Sequence, residues 1–315
     1  MADRSHRRKS RKKQLQASHQ KNWLTGRHAV TEALTAGIWP IVELYLAEAS
    51  DSELPADGGD PGVSANDLQE QPVSDEGSDS GPAQPPEGDM ELTVAPEPAN
   101  HGILTAALER DIEPIPVSRD RLTQLCGSRH HQGVAARMGE FPYRTFDQQF
   151  LEADSAKPIQ NELVVVCDRI QDSHNFGAIL RCCDGMNVAA VVVANEQQAA
   201  VSPTVARSSA GAVNHVPIVL AEDLCGSLQK LKAVGYHIAA ATEKTDQPAW
   251  AIQLPEPTVL VIGSEAKGVD QRLLDECDSK LMIPMLGHVS SLNAAVATGI
   301  LLYEIRRRSA MGPTS

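Results

Sequence analysis

The chain has no two cysteines at Cys-x-x-Cys spacing, although six are spread along its 315 residues. Cys126, Cys167, Cys182, Cys183, Cys225 and Cys277 mostly fall inside apolar, periodic stretches. They read as reduced core residues of a cytoplasmic protein, not as a disulfide framework or a paired-cysteine metal site. Ten histidines are scattered, and neither His130-His131 nor His174 stands at metal-ligand spacing, so no metal is expected. No apolar run is long enough to cross a membrane. The N-terminus has neither the apolar core of a secretion signal nor the amphipathic Arg/Ser pattern of an organelle signal. The first apolar strand of the second half is not followed by Gly-x-Gly-x-x-Gly, which argues against the usual dinucleotide-binding fold. Group transfer without a metal remains.

Basic residues are absent from one long segment. Asp51–Pro98 holds thirteen Asp or Glu, no Lys or Arg, and many Gly, Pro and Ser. Such a segment buries too little apolar surface to offset chain entropy and is expected to be disordered. Its thirteen charges equal the formal net charge of −13, so the rest of the chain is formally neutral. At the other extreme, Met1–Lys21 carries eight Lys or Arg against one acid, Asp3. That composition predicts a disordered basic arm suited to nucleic-acid phosphates, with a plain solubilising tail as the alternative.

Between and beyond these segments the pattern is globular. In residues 22–140, a helix with Val30, Ala33 and Leu34 on one face precedes a strand Ile41–Leu46. After the acidic insert come a helix around Leu104–Leu108, a strand Ile115–Val117, a short helix Arg121–Leu125 and a strand Val134–Met138. Phe141–Gln160, with Pro142 and Pro158, reads as a linker. In residues 161–308 the predicted order is strand Leu163–Cys167, helix Gly177–Met186, strand Ala189–Val193, helix Ser202–Val213, strand Val216–Val219, helix Glu222–Val234 and strand His237–Ala241. Strand Val259–Ile262, helix Val269–Glu276, strand Lys280–Ile283 and a final helix follow, with 309–315 as a tail. Such alternation predicts an α/β domain with a parallel sheet covered on both faces. In the final helix, Leu292, Ala295, Val296, Gly299, Ile300 and Tyr303 share one face while Leu301 and Leu302 lie opposite, the pattern of a buried helix, with Ser290 or Ser291 available to cap it.

Three strands lead into polar loops. Leu163–Asp168 opens into Asp172-Ser173-His174-Asn175-Phe176-Gly177 and a helix carrying Arg181. Val259–Ile262 opens into Gly263-Ser264-Glu265-Ala266-Lys267-Gly268, and Ile283-Pro284-Met285-Leu286-Gly287 leads to Ser291-Leu292-Asn293. Loops at one edge of an open parallel sheet are where such folds bind ligands. Asn175-Phe176-Gly177-Ala178-Ile179-Leu180-Arg181, Gly263-Ser264-Glu265 with Gly268, and Ile283-Pro284-Met285 with Ser291-Leu292-Asn293 resemble, in order and spacing, the three motifs of the SpoU/TrmH (SPOUT) family of RNA ribose 2′-O-methyltransferases. His131-Gln132-Gly133 resembles the signature that ends the family's substrate-binding domain.

That resemblance implies a C-terminal α/β knot, a deep trefoil, and an N-terminal domain similar in fold to a small RNA-binding ribosomal protein of the L30e type. It implies S-adenosyl-L-methionine as cofactor, held by knot-loop backbone at Gly263, Ile283 and Leu292. Asn175, Arg181, Glu265, Ser291 and Asn293 match the polar active-site positions, with Arg181 as the activator of the 2′-hydroxyl. It further implies a homodimer, and the likeness is nearest to members that methylate a guanosine of 23S rRNA. A tRNA or another rRNA nucleotide is the alternative target, and a non-catalytic RNA-binding relative the alternative class. Arg169 and Ser173 stand where members often have Gly and Pro, and Ala266 where Gly is frequent.

Overall fold

A single carbonyl, that of Gly133, closes the N-terminal half. The computed structural model describes residues 22–48, 100–151 and 162–311, so the readings for Met1–Lys21, the acidic insert and 312–315 lie outside the described residues. Strands β1 (Trp23–Thr25), β2 (Ile41–Ala47), β3 (Ile115–Val117) and β4 (Val134–Met138) form a four-stranded sheet in the order β1-β4-β2-β3. Helices α1 (Arg27–Ala36), α2 (His101–Leu108) and α3 (Arg119–Cys126) complete the domain. Val30, Ala33 and Leu34 are buried, as their spacing predicts. Strand β1, too short to show a period of two, is absent from the sequence reading. The His-Gln-Gly signature braces this domain. His131 is buried, with Nε2 at 3.2 Å from Thr123 Oγ1 and Nδ1 accepting the Gly133 N–H. Gln132 Oε1 accepts the Arg27 N–H at 3.0 Å, supplying the cap that Gly26 lacks a side chain to provide. The Gly133 carbonyl accepts from Ala47 N–H at 2.8 Å and from Asn100 Nδ2 at 3.1 Å, on either side of residues 49–99.

The expected linker is in part structured. Thr145 and Gln148 form a reciprocal capping box that starts helix α4 (Phe146–Phe150), and Phe146 is buried. Arg144 exchanges backbone hydrogen bonds with Ile218 and Leu220, and the Tyr143 hydroxyl accepts the Val201 N–H at 2.7 Å. Tyr143, Phe146 and Phe150 carry enough apolar surface to dock this segment on the second domain, while Phe141 meets Trp39 of the first edge-on.

There, β5 (Leu163–Asp168), β6 (Ala190–Ala194), β7 (Ile218–Ala221), β8 (His237–Ala241), β9 (Thr258–Gly263) and β10 (Ser279–Leu281) form a six-stranded sheet ordered β10-β8-β9-β5-β6-β7. All its pairings are parallel. Every residue of β5 is buried, as a central strand covered on both faces requires. Helices α5 (Ser173–Gly185), α6 (Pro203–Ser208), α7 (Leu224–Ala233), α8 (Gln271–Glu276) and α9 (Ala294–Met311) cover it. Helix α9 packs on α5 and touches both β9 and the Ala249–Ala251 turn of the long β8–β9 crossover. The C-terminal segment thus packs against both the sheet and the crossover.

Four expectations need correction. Helix α5 starts at Ser173 because the Asp172 carboxylate accepts from the N–H groups of His174 and Asn175, so residues read as loop are its first turn. Asp172 is held below the usual carboxylate range chiefly by the Asn175 N–H. The helix read as Ser202–Val213 ends at Ser208, where Ala210 and Gly211 turn left-handed; a Cβ on Gly211 would meet Glu32 Cγ of the N-terminal domain at 2.9 Å. Helix α9 is capped by Asn293, whose Oδ1 accepts from the N–H groups of Ala295 and Val296, and not by Ser290 or Ser291. Nor is it buried all round: Val296, Ile300 and Tyr303 are 51%, 42% and 57% exposed, while Leu301, Leu302 and Thr298 face the core.

Candidate active site

The C-terminal ends of β5 and β9 lie side by side, Asp168 opposite Gly263, so the two loops that follow them emerge at one edge. Strand β10 ends two strands away, and the chain returns from it to start α9 at the same edge. The three loops meet through their side chains. Asn175 Nδ2 donates to Glu265 Oε1. Asn293 Nδ2 donates to Asn175 Oδ1 at 2.9 Å and lies 3.4 Å from Glu265 Oε1, which also lies 3.4 Å from the Ala294 N–H. Donors from the first and third loops thus converge on one carboxylate oxygen of the second. The cluster sits at the N-termini of α5 and α9, whose dipoles favour negative charge there.

Gly263 is fixed as glycine by close approach. A Cβ would fall 2.1 Å from the Gly268 carbonyl carbon and 2.2 Å from the Val269 nitrogen, because the loop doubles back on itself through a Gly268 N–H to Ser264 carbonyl bond of 2.8 Å. Ile283 is half-buried against the core and Leu292 is half-buried. Neither residue's main-chain groups take a backbone partner among the described residues, which leaves them free for a ligand.

Of the eight residues singled out from sequence, Asn175, Glu265 and Asn293 are brought into direct contact. Gly263, Ile283 and Leu292 line the adjoining loops. Ser291 is exposed and Arg181 is exposed on α5, about 9 Å along the helix axis from Asn175. The Arg181 side chain makes no hydrogen bond or ion pair among the described residues. Sequence reasoning passed over Asp168 and Asp270. Asp168 is buried, accepts the Asp270 N–H at 2.7 Å and pairs bidentately with Arg169. An ionisable residue closing an otherwise apolar strand was the available signal.

The departures at Arg169 and Ser173 now have a backbone explanation. Arg169 has φ 60°, a left-handed conformation that glycine adopts without penalty. Ser173 is the first residue of α5, where proline is favoured.

Comparison with known proteins agrees with this architecture. Residues 162–303 match the SpoU rRNA methylase family, and residues 91–144 match the RNA 2′-O ribose methyltransferase substrate-binding domain. A Staphylococcus haemolyticus protein assigned to the TrmH family of tRNA/rRNA methyltransferases is 37% identical over 208 residues, covering 65% of this chain and 82% of that protein. A Staphylococcus aureus protein of the same assignment is 34% identical, with the same coverage. Among solved structures, the SpoU methyltransferase AviRb of Streptomyces viridochromogenes superposes with a TM-score of 0.66 at 22% identity, covering 94% of this chain and 92% of that one. An AdoMet-bound rRNA methyltransferase from Sinorhizobium meliloti gives 0.64 at 21% identity, covering 96% and 90%. With its sheet order, its converging loops and these relatives, the chain belongs to the SpoU/TrmH family of RNA methyltransferases.

Proposed function

We propose that this protein transfers the methyl group of S-adenosylmethionine to a ribose 2′-hydroxyl of RNA, with a guanosine of 23S rRNA as target, and that it works in the cytoplasm as a homodimer. The observation that carries the reading is the convergence of Asn175, Glu265 and Asn293 from three loops beside the main chain of Gly263, Ile283 and Leu292. Free main-chain donors and acceptors on a half-buried apolar wall suit an adenosine, and a nearby carboxylate suits a positively charged cofactor. When bound, S-adenosylmethionine supplies an electrophilic methyl on its sulfonium.

The chain's own residues then have separable tasks. Glu265, gripped by two asparagine amides, holds its loop in one geometry and orients Asn175 and Asn293 toward the nucleotide. Arg181, exposed and unpaired, is placed for a phosphate or for the developing 2′-alkoxide. The 2′-oxygen would gain the methyl as the sulfonium–methyl bond breaks to leave a neutral thioether, and its proton would pass to water. Support for ribose chemistry comes from the substrate-binding match and from the motif likeness, and that likeness alone favours the 23S guanosine. The exposed stripe Val296, Ile300 and Tyr303 favours a second copy against α9. Calorimetric titration with S-adenosylmethionine, followed by mass-spectrometric mapping of ribose methylation in RNA from a deletion strain, tests the reading. Loss of one rRNA methyl upholds it. Loss of a tRNA methyl moves the target, and no cofactor binding removes the enzyme class.

A further inference from the structure

Arg169 occupies a backbone conformation that disfavours it, and its side chain reaches across two strands. It follows the last residue of β5 with φ 60°, the left-handed region that an L side chain rarely adopts. Its Nε and Nη2 meet both oxygens of Asp168 at 3.0 and 2.9 Å, Nη2 also lies 3.4 Å from the Gly268 carbonyl, and Nη1 lies 3.4 Å from Asp270. The pair is largely buried, Asp168 at 6% and Arg169 at 20% side-chain exposure. Asp168 in turn accepts the Asp270 N–H at 2.7 Å. One guanidinium thus joins the end of β5 to both the carbonyl and the carboxylate that close the 264–270 loop.

That loop carries the site. The Gly268 peptide gripped by Arg169 is the one pressed against Gly263, and Glu265 stands on the same turn, holding Asn175 and Asn293. Within that loop Val269 is buried while Glu265, Ala266 and Lys267 are exposed, so the turn before Val269 has little packing of its own to fix it. A bidentate arginine fork supplies direction as well as attraction, which a lysine point charge does not.

We propose that Arg169 is a positioning residue, a clamp that holds the 264–270 loop against β5 and so sets the main chain of the cofactor cradle and the Glu265 carboxylate. The cofactor part rests on the function proposed above; the clamp itself does not. At this position glycine fits the backbone, so Arg169→Gly removes the clamp together with the strain. It leaves Asp168 buried with one fewer partner, and the double variant D168N/R169G removes that charge while an amide oxygen still accepts the Asp270 N–H.

The test uses the full chain, with amide hydrogen exchange read peptide by peptide and S-adenosylmethionine titrated by calorimetry. In Arg169→Gly and in D168N/R169G, exchange in 264–270 should quicken while α9 and β6 keep wild-type rates. Cofactor affinity should fall about tenfold or more, with Arg169→Lys between the extremes. A residue that only adds global stability would quicken exchange everywhere. Exchange in 264–270 and affinity both within about twofold of wild type in the folded double variant would overturn the clamp. If the wild-type chain itself binds no S-adenosylmethionine, the functional reading fails, and the exchange of 264–270 alone still decides on Arg169.

Discussion

Asn293 does two jobs with one side chain: its Oδ1 caps α9 through the N–H groups of Ala295 and Val296, and its Nδ2 donates to Asn175 Oδ1 at 2.9 Å. The first job is structural and the second belongs to the site, so substitutions can separate them. Asn293→Ala should lose both, with a stability loss of about 0.5–2 kcal/mol typical of a removed cap. Asn293→Ser keeps a capping oxygen and should hold stability near wild type while turnover falls about tenfold or more. Urea melts beside methyl-transfer assays check this. Equal losses of turnover and stability in both variants would contradict the division.

The same residue marks a limit of the sequence. Ser290, Ser291 and Asn293 are all good caps, and their order along the chain does not say which one turns its oxygen back to the helix. The geometry of the third loop decides, by pulling the Asn293 amide toward Asn175 and Glu265. The alternation of strands and helices, the buried β5 and the three loops were legible because apolar periodicity and strand-ending polar residues are local signals. The exposed stripe on α9 was not: an apolar residue looks the same in sequence whether it faces a core or open surface. The early end of α6 had a local signal that was passed over, Gly211, which turns left-handed with Ala210.

Arg181 should reveal its role through the choice of substitution. Arginine as a residue type stays charged through the neutral range, so an electrostatic role is favoured over that of a base. Arg181→Lys should keep measurable turnover with weaker RNA binding, and Arg181→Ala should lose about 10²–10³-fold in turnover while still binding cofactor. A lysine variant as inactive as alanine, with RNA affinity intact and wild-type turnover rising tenfold per pH unit, would favour the base.

Glu304 on α9 gives a pH signature. Its carboxylate bonds Arg307 at 2.8 Å and Arg308 at 2.7 Å, and the Arg307 bond above all brings its pKa down from 4.5 to about 2. A depressed carboxylate adds stability that is complete above its unfolded value and is lost as pH falls through the folded one. Wild type should therefore exceed Glu304→Gln by about 1 kcal/mol or less at pH 7, and the gap should close between about pH 4.5 and 2. Denaturant melts across that range measure it. A gap that persists at the acid end would mean that Glu304 acts by packing.

Excising residues 51–98 should leave cofactor affinity unchanged and the thermal midpoint no lower, because Ala47 and Asn100 are already tied to the Gly133 carbonyl. Closure entropy grows only slowly with length, so cutting the connection from 51 residues to three gains about 2.5 kcal/mol at most. Differential scanning calorimetry and cofactor titration check it. A fall in the midpoint of several degrees would show that the segment supports the fold.

Since Ala47 and Asn100 finish within reach of the same acceptor, everything between them amounts to a detour that returns to its starting point. On either side of that link, β2 and β4 pair from Ile41 to Leu46 and α1 rests on α2, contacts made by residues outside 49–99. That makes the site a natural split point. Two polypeptides, one ending after Glu48 and one beginning before Asn100, carry alternate strands of one sheet, and their co-expression should rebuild the enzyme from two unequal pieces.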